Sequence, residues 1–382
     1  MNERRLALAS PSPKPAERSV TVPLTVRDLH DLAVQRLSRM AYDYYASGSE
    51  GETTLAGNEA AWARVRLRPR CLVDVSARDL STTVLGRRVA MPVLIAPTAF
   101  QRMAHPDGEL ATARAASALG TIMALSTLAT STLEDVAAAY DAERGALGGR
   151  WFQLYVFRDR GITRELVERA EAAGYDALAL TVDAPFLGRR LRDVRNGFAL
   201  PPGLSVANLV RHGKGALSEA LGDSGLAAYV AAMLDPSLTW RDLAWLRSIT
   251  RLPVVVKGVV RADDARLAAA HGAAAVVVSN HGGRQLDGAI ATADALPEVV
   301  DAVHDTLEVY VDGGLRRGTD VLKALALGAR AVLVGRPVLW GLACDGAAGV
   351  ASALGMLRAE LDAAMALAGC ASASGVTPDL VR

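Results

Sequence analysis

His281 and Arg284 lie three residues apart in the segment Ser279-Asn280-His281-Gly282-Gly283-Arg284-Gln285, a spacing that lets an imidazole and a guanidinium address neighbouring atoms of one small ligand. A guanidinium fork grips a carboxylate through two parallel hydrogen bonds, and a neutral imidazole takes a proton from the carbon or hydroxyl beside it. Asp183, in Thr181-Val182-Asp183, is suited to orient that imidazole and to stabilise its charged form. Arg190, a little further along, is a candidate second clamp on the carboxylate. The plainer alternatives stay open at this point: a histidine after a strand also serves as a loop hydrogen-bonder, and Arg189, Arg190 and Arg192 also make a solvated face.

A second set of residues suits an anion. Asp312-Gly313-Gly314 with Arg316, and Gly335-Arg336, combine glycines that let backbone N–H groups approach closely with guanidinium charge, the chemistry of a phosphate cradle. A Gly-Gly pair by itself serves equally as a tight turn; the matching Gly-Arg turns the reading towards a phosphorylated ligand. Lys plus Arg number 42 against 41 Asp plus Glu, a formal charge of +1, which offers no footprint for nucleic acid or an anionic membrane surface. Cys71, Cys344 and Cys370 are widely separated, indicating neither a metal site nor a disulfide framework and fitting a reducing cytoplasm.

These residues need a scaffold that brings distant segments together. Eight short, largely apolar runs supply one, at 93–97, 121–126, 151–156, 177–183, 252–258, 274–280, 308–313 and 331–336. Apolar at successive positions, they read as parallel strands buried on both faces. Helix-length stretches rich in Ala, Leu, Arg and Glu lie between most of them, among them 108–119, 162–173, 262–270 and 318–327. Eight βα units predict a closed (β/α)8 TIM barrel. Residues 25–62 read as helices capping it, and 186–238 as a long excursion after the fourth strand, with 203–234 expected to form a mobile, partly ordered lid. The local basic cluster Arg211, His212 and Lys214 in that excursion is too small for membrane docking. Residues 1–20, rich in Pro, Ser, Ala and charge, lack the apolar stretch of a signal peptide or membrane span and read as a disordered tail, leaving 21–382 as one domain.

In a barrel of this kind chemistry gathers at the C-terminal ends of the strands. The residues closing the eight runs are polar: Pro97-Thr98-Ala99, Ser126, Gln153 with Tyr155, Thr181 with Asp183, Lys257, Ser279 with His281 and Arg284, Asp312-Gly313-Gly314 with Arg316, and Gly335-Arg336. The last two groups follow strands seven and eight, where barrels commonly hold a phosphate.

Taken together these residues resemble the FMN-dependent 2-hydroxy acid oxidases and dehydrogenases, the family of glycolate oxidase, lactate oxidase and mandelate dehydrogenase. The resemblance runs over about 24–371 and is carried by Ser279 to Asp287, Tyr42-Asp43-Tyr44-Tyr45, Pro97-Thr98-Ala99, Gln153-Leu154-Tyr155, Thr181-Val182-Asp183, Gly188-Arg189-Arg190 and Asp312-Gly313-Gly314. It implies His281 as catalytic base, Asp183 as its partner, Arg190 and Arg284 as the carboxylate pair, and Tyr44 and Tyr155 as phenols contacting substrate. For FMN it implies Ala99, Ser126, Gln153 and Thr181 near the ring, Lys257 as the cation that stabilises negative charge there, Gly313, Gly314, Arg316, Gly335 and Arg336 around the phosphate, and Pro97, Thr98, Ser279 and Asp312 as further cofactor-binding residues. It also implies a homotetramer.

Leu128 stands where glycolate oxidases carry a Trp, with Phe100 and Leu187 bordering the same site, and the run from Gly188 to Pro201 is similar to that of 4-hydroxymandelate oxidases. The expectation is an aryl or otherwise bulky (S)-2-hydroxy acid, whereas Tyr44 is more like glycolate oxidase. Ala99 is similar to the residue of many oxidases of the family, so O2 is the expected acceptor and H2O2 its product. The alternatives are a dehydrogenase using a quinone or other acceptor, a glycolate- or lactate-type enzyme, another FMN barrel such as an isomerase, and an inactive flavin-binding barrel.

Overall fold

A computed structural model describes residues 22–143, 145–217 and 224–382. The tail expected over 1–20 and part of the excursion, 218–223, lie outside the described residues. All eight apolar runs form strands. After a hairpin of β1 (Thr82–Val84) and β2 (Arg87–Val89) come β3 (Val93–Ile95), β4 (Ile122–Leu125), β5 (Gly149–Leu154), β6 (Ala177–Thr181), β7 (Val254–Val259), β8 (Ala275–Val278), β9 (Glu308–Val311) and β10 (Ala331–Val334). Each of β3 to β10 pairs with the next and β10 returns to β3, closing a parallel barrel. Most strands stop short of the expected runs, so the polar residues that end those runs stand just past the ladder, at the mouth.

Side chains alternate across a strand, and both sets are apolar here. Leu94, Ala124, Trp151, Ala179, Val277 and Tyr310 point into the barrel, where Val84 and Val89 of the hairpin join the same cluster and plug its N-terminal end. Ile95, Leu178, Leu180, Val256 and Val278 point outward under the helices. Burial on both sides is why the runs show no alternation.

The N-terminal helices α1 (Val26–Arg36), α2 (Arg39–Ala46) and α3 (Thr53–Arg64) precede the barrel. Two of them are fixed to its mouth: Tyr45 Oη of α2 donates to the Phe100 carbonyl at 2.6 Å, and Trp62 Nε1 of α3 donates to the Gly313 carbonyl at 2.8 Å. The outer layer is α4 (Gly108–Ala118), α5 (Leu133–Asp141), α6 (Arg160–Ala172), α9 (Trp240–Ser248), α10 (Ala262–Ala270), α11 (Thr292–Val303), α12 (Gly318–Ala326) and α13 (Arg336–Ala368), while α7 (Leu191–Arg195) and α8 (Gly225–Met233) belong to the excursion. α13 breaks at Asp345 and Gly346, whose dihedrals leave the helical region. It is long and apolar enough to cross a membrane by length and composition, but 67% of its most apolar window is buried in this fold.

The described parts of the excursion are tied to the barrel. Ala207 N donates to the Ala129 carbonyl at 2.9 Å, and Asn208 Oδ1 accepts from Leu133 N at 2.9 Å. Tyr229 Oη of α8 donates to the Lys214 carbonyl at 3.0 Å, joining the excursion's two described halves.

Candidate active site

His281 and Asp183 form a pair. Imidazole Nδ1 is 2.8 Å from Asp183 Oδ1, and the tautomer that donates Nδ1–H to the carboxylate leaves Nε2 free to act as a base. The imidazole reaches Asp183 because the chain after β8 turns sharply: His281, Gly282 and Gly283 have φ of 58°, 64° and 77°. For a histidine this left-handed conformation costs about 1–2 kcal/mol, and neighbouring bonds hold it. Ser279 Oγ accepts from His281 N at 3.1 Å and Asn280 Oδ1 from Gly283 N at 3.2 Å. Asn280 is in turn held by reciprocal amide bonds with Asn58 of α3, at 2.9 and 2.8 Å.

Burial pushes the His281 pKa down, and the charges of Lys257 and Arg190 add to this, outweighing the upward pull of Asp183. Burial pushes Asp183 up, but the charges of His281 and Lys257 hold its carboxyl below the usual range. The pair therefore rests as a neutral imidazole beside a carboxylate, ready to take up one proton.

Arg190 and Arg284 face the same cavity. Of the arginine run in the excursion, Arg189 is exposed and Arg192 binds Glu52, whereas Arg190 is 5% exposed at the N-cap of α7. The Arg284 guanidinium lies over the Tyr44 ring, 5.1 Å from its centroid, and its Nη1 donates to the carbonyls of Tyr44 at 2.7 Å and Ser47 at 2.8 Å. Burial, then the nearby Arg190 charge, push Arg284 down to about 10, so it remains a cation at neutral pH. Burial pushes the phenols of Tyr44 and Tyr155 up, so both remain protonated donors.

The floor of the cavity is suited to a flat, hydrogen-bonding ring with a phosphate tail. Ser126 Oγ, Gln153 and Thr181 Oγ1 form a chain across three strand ends, with contacts of 3.3 and 3.0 Å. Lys257, in register with Thr181 across β6 and β7, sets Nζ 3.0 Å from Ser279 Oγ and 3.4 Å from Asp312 Oδ2. Burial opposes its charge, yet Asp312 and Asp183 carry its pKa above the ordinary lysine value, so a permanent cation lies buried there.

After β9, Gly313 and Gly314 have φ of 90° and 82°, and a Cβ on Gly314 would stand 2.6 Å from the Asn58 backbone, so the close packing of α3 requires glycine there. Arg316 pairs with Glu59 at 2.8 Å. Arg336 donates from all three nitrogens to the carbonyls of Tyr45, Gly282 and Ser47, each at 3.0 Å. It lines the cavity beside Gly335 and also ties down the C-terminal end of α2. This set of residues fits FMN: the cradle and Arg316 and Arg336 for the phosphate, and Lys257, Gln153, Ser126 and Thr181 for the ring.

Most of the expected residues line one cavity of about 1120 Å³, mouth included: Tyr44, Pro97, Thr98, Ala99, Ser126, Leu128, Gln153, Tyr155, Thr181, Leu187, Arg190, Lys257, His281, Arg284, Asp312, Gly313, Gly314, Arg316, Gly335 and Arg336. Asp183 and Ser279 stand behind His281 and Lys257 rather than on the wall. Phe100, expected against substrate, does not line it. Its φ of 59° turns the ring away into the core, where it is fully buried 5.5 Å from the Tyr44 ring and 6.2 Å from that of Phe198. Sequence reading missed Tyr45, Ala184, Leu226, Val230, Leu234 and Leu339 on the wall. The i, i+4, i+8 spacing of Leu226, Val230 and Leu234 was the available signal for three of them.

A buried histidine–aspartate pair, two arginines facing one cavity and a pair of glycines flanked by further arginines, all at the mouth of a parallel barrel, suit a flavin-dependent oxidoreductase acting on small acids. The family described as FMN-dependent dehydrogenase matches residues 33–382. The chain is 57% identical over 352 residues to an L-lactate oxidase of Nostoc sp. (strain PCC 7120), covering 92% of this chain and 96% of that one. It is 55% identical to glycolate oxidase 1 of Zea mays, covering 92% and 94%. A solved mandelate oxidase with (S)-4-hydroxymandelic acid superposes with a TM-score of 0.89 at 45% identity, covering 94% of this chain and 98% of that one. The chain belongs to the FMN-dependent 2-hydroxy acid oxidase family, with FMN as its cofactor.

Proposed function

We propose that the enzyme oxidises an aryl or otherwise bulky (S)-2-hydroxy acid to the 2-oxo acid and passes the electrons to O2, giving H2O2. The apolar wall of the cavity carries the substrate reading. Leu128, Leu187, Leu226, Val230 and Leu234 line the same space as Arg190 and Arg284, so a carboxylate held by the arginines leaves its substituent among leucines and valine. The likeness to a mandelate oxidase solved with (S)-4-hydroxymandelic acid supports it. α8 supplies part of that wall, and on this reading the described residues of the expected lid, 203–217 and 224–234, cover the substituent.

FMN, when bound, supplies the two-electron acceptor and the route of those electrons to O2. The chain's own residues do the rest. Arg190 and Arg284 hold the carboxylate, Tyr44 and Tyr155 donate hydrogen bonds to substrate oxygens, and His281 Nε2 takes the proton while Asp183 stabilises the resulting imidazolium. The Lys257 charge stabilises negative charge that develops beside the barrel floor. Ala99, on the cavity wall, supports O2 as acceptor.

Anaerobic mixing of the holoenzyme with (S)-mandelate, L-lactate and glycolate tests the substrate. Flavin bleaching is expected with the highest second-order rate constant for (S)-mandelate, followed by reoxidation when O2 is admitted. A higher value for L-lactate or glycolate overturns the aryl reading, and reoxidation by quinones alone overturns the acceptor. The identity to lactate and glycolate oxidases favours a small-substrate enzyme as the second reading, which the same experiment decides.

A further inference from the structure

Asp193 is a buried carboxylate that the chemistry above does not use. It lies in α7, three residues after Arg190, is 2% exposed, and neither of its oxygens has a hydrogen-bond partner. Arg190 Nη1 is 4.0 Å from Asp193 Oδ2, and Arg190 Nε has no partner either. The charged and titratable groups acting on Asp193 come from three elements: Arg190 at the start of α7, Arg284 in the loop after β8, and Asp43 and Tyr44 in α2. Asp43 is committed elsewhere, to Arg39, Arg192 and Asn196.

Two guanidiniums facing one cavity repel each other, and a carboxylate near both offsets that repulsion. We propose that Asp193 is the resident counter-anion of the clamp: it balances the charges of Arg190 and Arg284 before substrate arrives, and takes up a proton from solvent when a substrate carboxylate docks on them. The proposal rests on the clamp assigned under the proposed function. Its physical basis is like-charge repulsion. A docking carboxylate is a second anion on the same two cations, and a nearby like charge raises a carboxyl pKa. Burial, opposed by Arg284 and Arg190 and reinforced by Asp43, already pushes Asp193 up to about 6, so a modest further rise brings it across neutral pH.

Linkage is reciprocal: if docking favours protonation of Asp193, protonation favours docking. Carboxylate affinity is then highest below the free-enzyme value and falls as pH rises through it. Each unit by which the docked anion raises the Asp193 pKa corresponds to about a tenfold difference in affinity between the acidic and alkaline plateaus.

The test uses holoenzyme and phenylacetate, which carries the carboxylate but no hydroxyl to oxidise. Calorimetry in two buffers of different ionisation enthalpy, roughly one pH unit above the Asp193 value, should show net proton uptake on binding. The uptake should persist in His281→Ala and vanish in Asp193→Asn. Asp193→Asn should also bind phenylacetate about tenfold tighter on the alkaline side, with a flat pH profile there, and Asp193→Glu should restore the slope. Absence of uptake in the wild type, or its retention in Asp193→Asn, overturns the proposal. Should Asp193→Asn not fold, His281→Ala decides, because loss of uptake in that variant assigns the proton to His281 and overturns the role of Asp193. The clamp is tested separately: phenylacetate binding undiminished by Arg284→Met removes the clamp, and this proposal falls with it.

Discussion

A Cβ placed on Gly258 would stand 2.6 Å from the Cβ of Asp183. Gly258 has a φ of 117° and sits where the register between β7 and β8 shifts, between Lys257 and Val259. The strand bulges there, as strands often do beside active sites, and the bare backbone leaves the space that Asp183 fills. Gly258→Ala is therefore expected to displace Asp183 and, through the 2.8 Å contact, His281. Flavin reduction should slow on the order of 10²-fold with FMN still bound, and overpacking should lower stability by about 1–3 kcal/mol. Stopped-flow reduction and denaturant melts measure the two effects. An unchanged reduction rate would show that Asp183 yields without moving the imidazole.

The pH dependence has a definite sign. The His281 pKa is depressed, so the base is lost only as pH falls below the ordinary histidine value near 6.5, and the acid limb of kcat/KM should lie beneath it. Asp183 is the group that pulls His281 upward. Asp183→Asn should move the limb to still lower pH, and should reduce the maximal rate by about 10²-fold or more because the imidazolium loses its counter-charge. A limb that moves to higher pH in Asp183→Asn contradicts this account.

On the proposed function Arg190 and Arg284 act as one clamp, but the two are anchored differently. Arg284 holds the carbonyls of Tyr44 and Ser47 at the end of α2, whereas Arg190 Nε is unpartnered. Arg190→Met should weaken substrate binding roughly 10- to 100-fold, the worth of one charge-assisted hydrogen bond of about 1.5–3 kcal/mol, with little change in Tm. Arg284→Met should weaken binding similarly and also lower Tm, since the Tyr44 carbonyl loses its bond while that of Ser47 keeps only the one from Arg336. Equal melting temperatures for the two variants would remove the anchoring role of Arg284.

The strands were legible because their burial on both faces leaves continuous apolar runs, and the cofactor floor because each polar residue closes such a run. His281, Arg284, Asp183 and Lys257 could be read that way. Phe100 could not. It follows Pro97-Thr98-Ala99 at a strand end, but its positive φ sends the ring inward, and no local pattern marks a non-glycine residue for that conformation. Arg190 was a candidate from the sequence, but its charge-rich stretch left a solvated face open as well, because solvated and buried members look alike until α7 packs on α2, and Asp193 was not picked out there. The wall made by Leu226, Val230 and Leu234 was helical in period, but which surface it covers depends on where the excursion folds back.

That wall sets the last prediction. Leu128 is 5% exposed on the cavity surface, and its carbonyl accepts from Phe100 N at 3.2 Å, so its backbone is tied to the loop that follows β3 while its side chain forms part of the apolar wall. A larger side chain there must grow into the space proposed for the substrate's substituent. Leu128→Trp is expected to lower kcat/KM for (S)-mandelate by about 10- to 200-fold, the range over which small changes in an apolar pocket discriminate, while changing that for L-lactate far less. FMN affinity should be unaltered, because Lys257 and the glycine cradle are untouched. Steady-state kinetics on both acids give the ratio. If mandelate and lactate lose activity in equal measure, Leu128 does not face the substituent, and the apolar wall built by α8 must bear the selectivity alone.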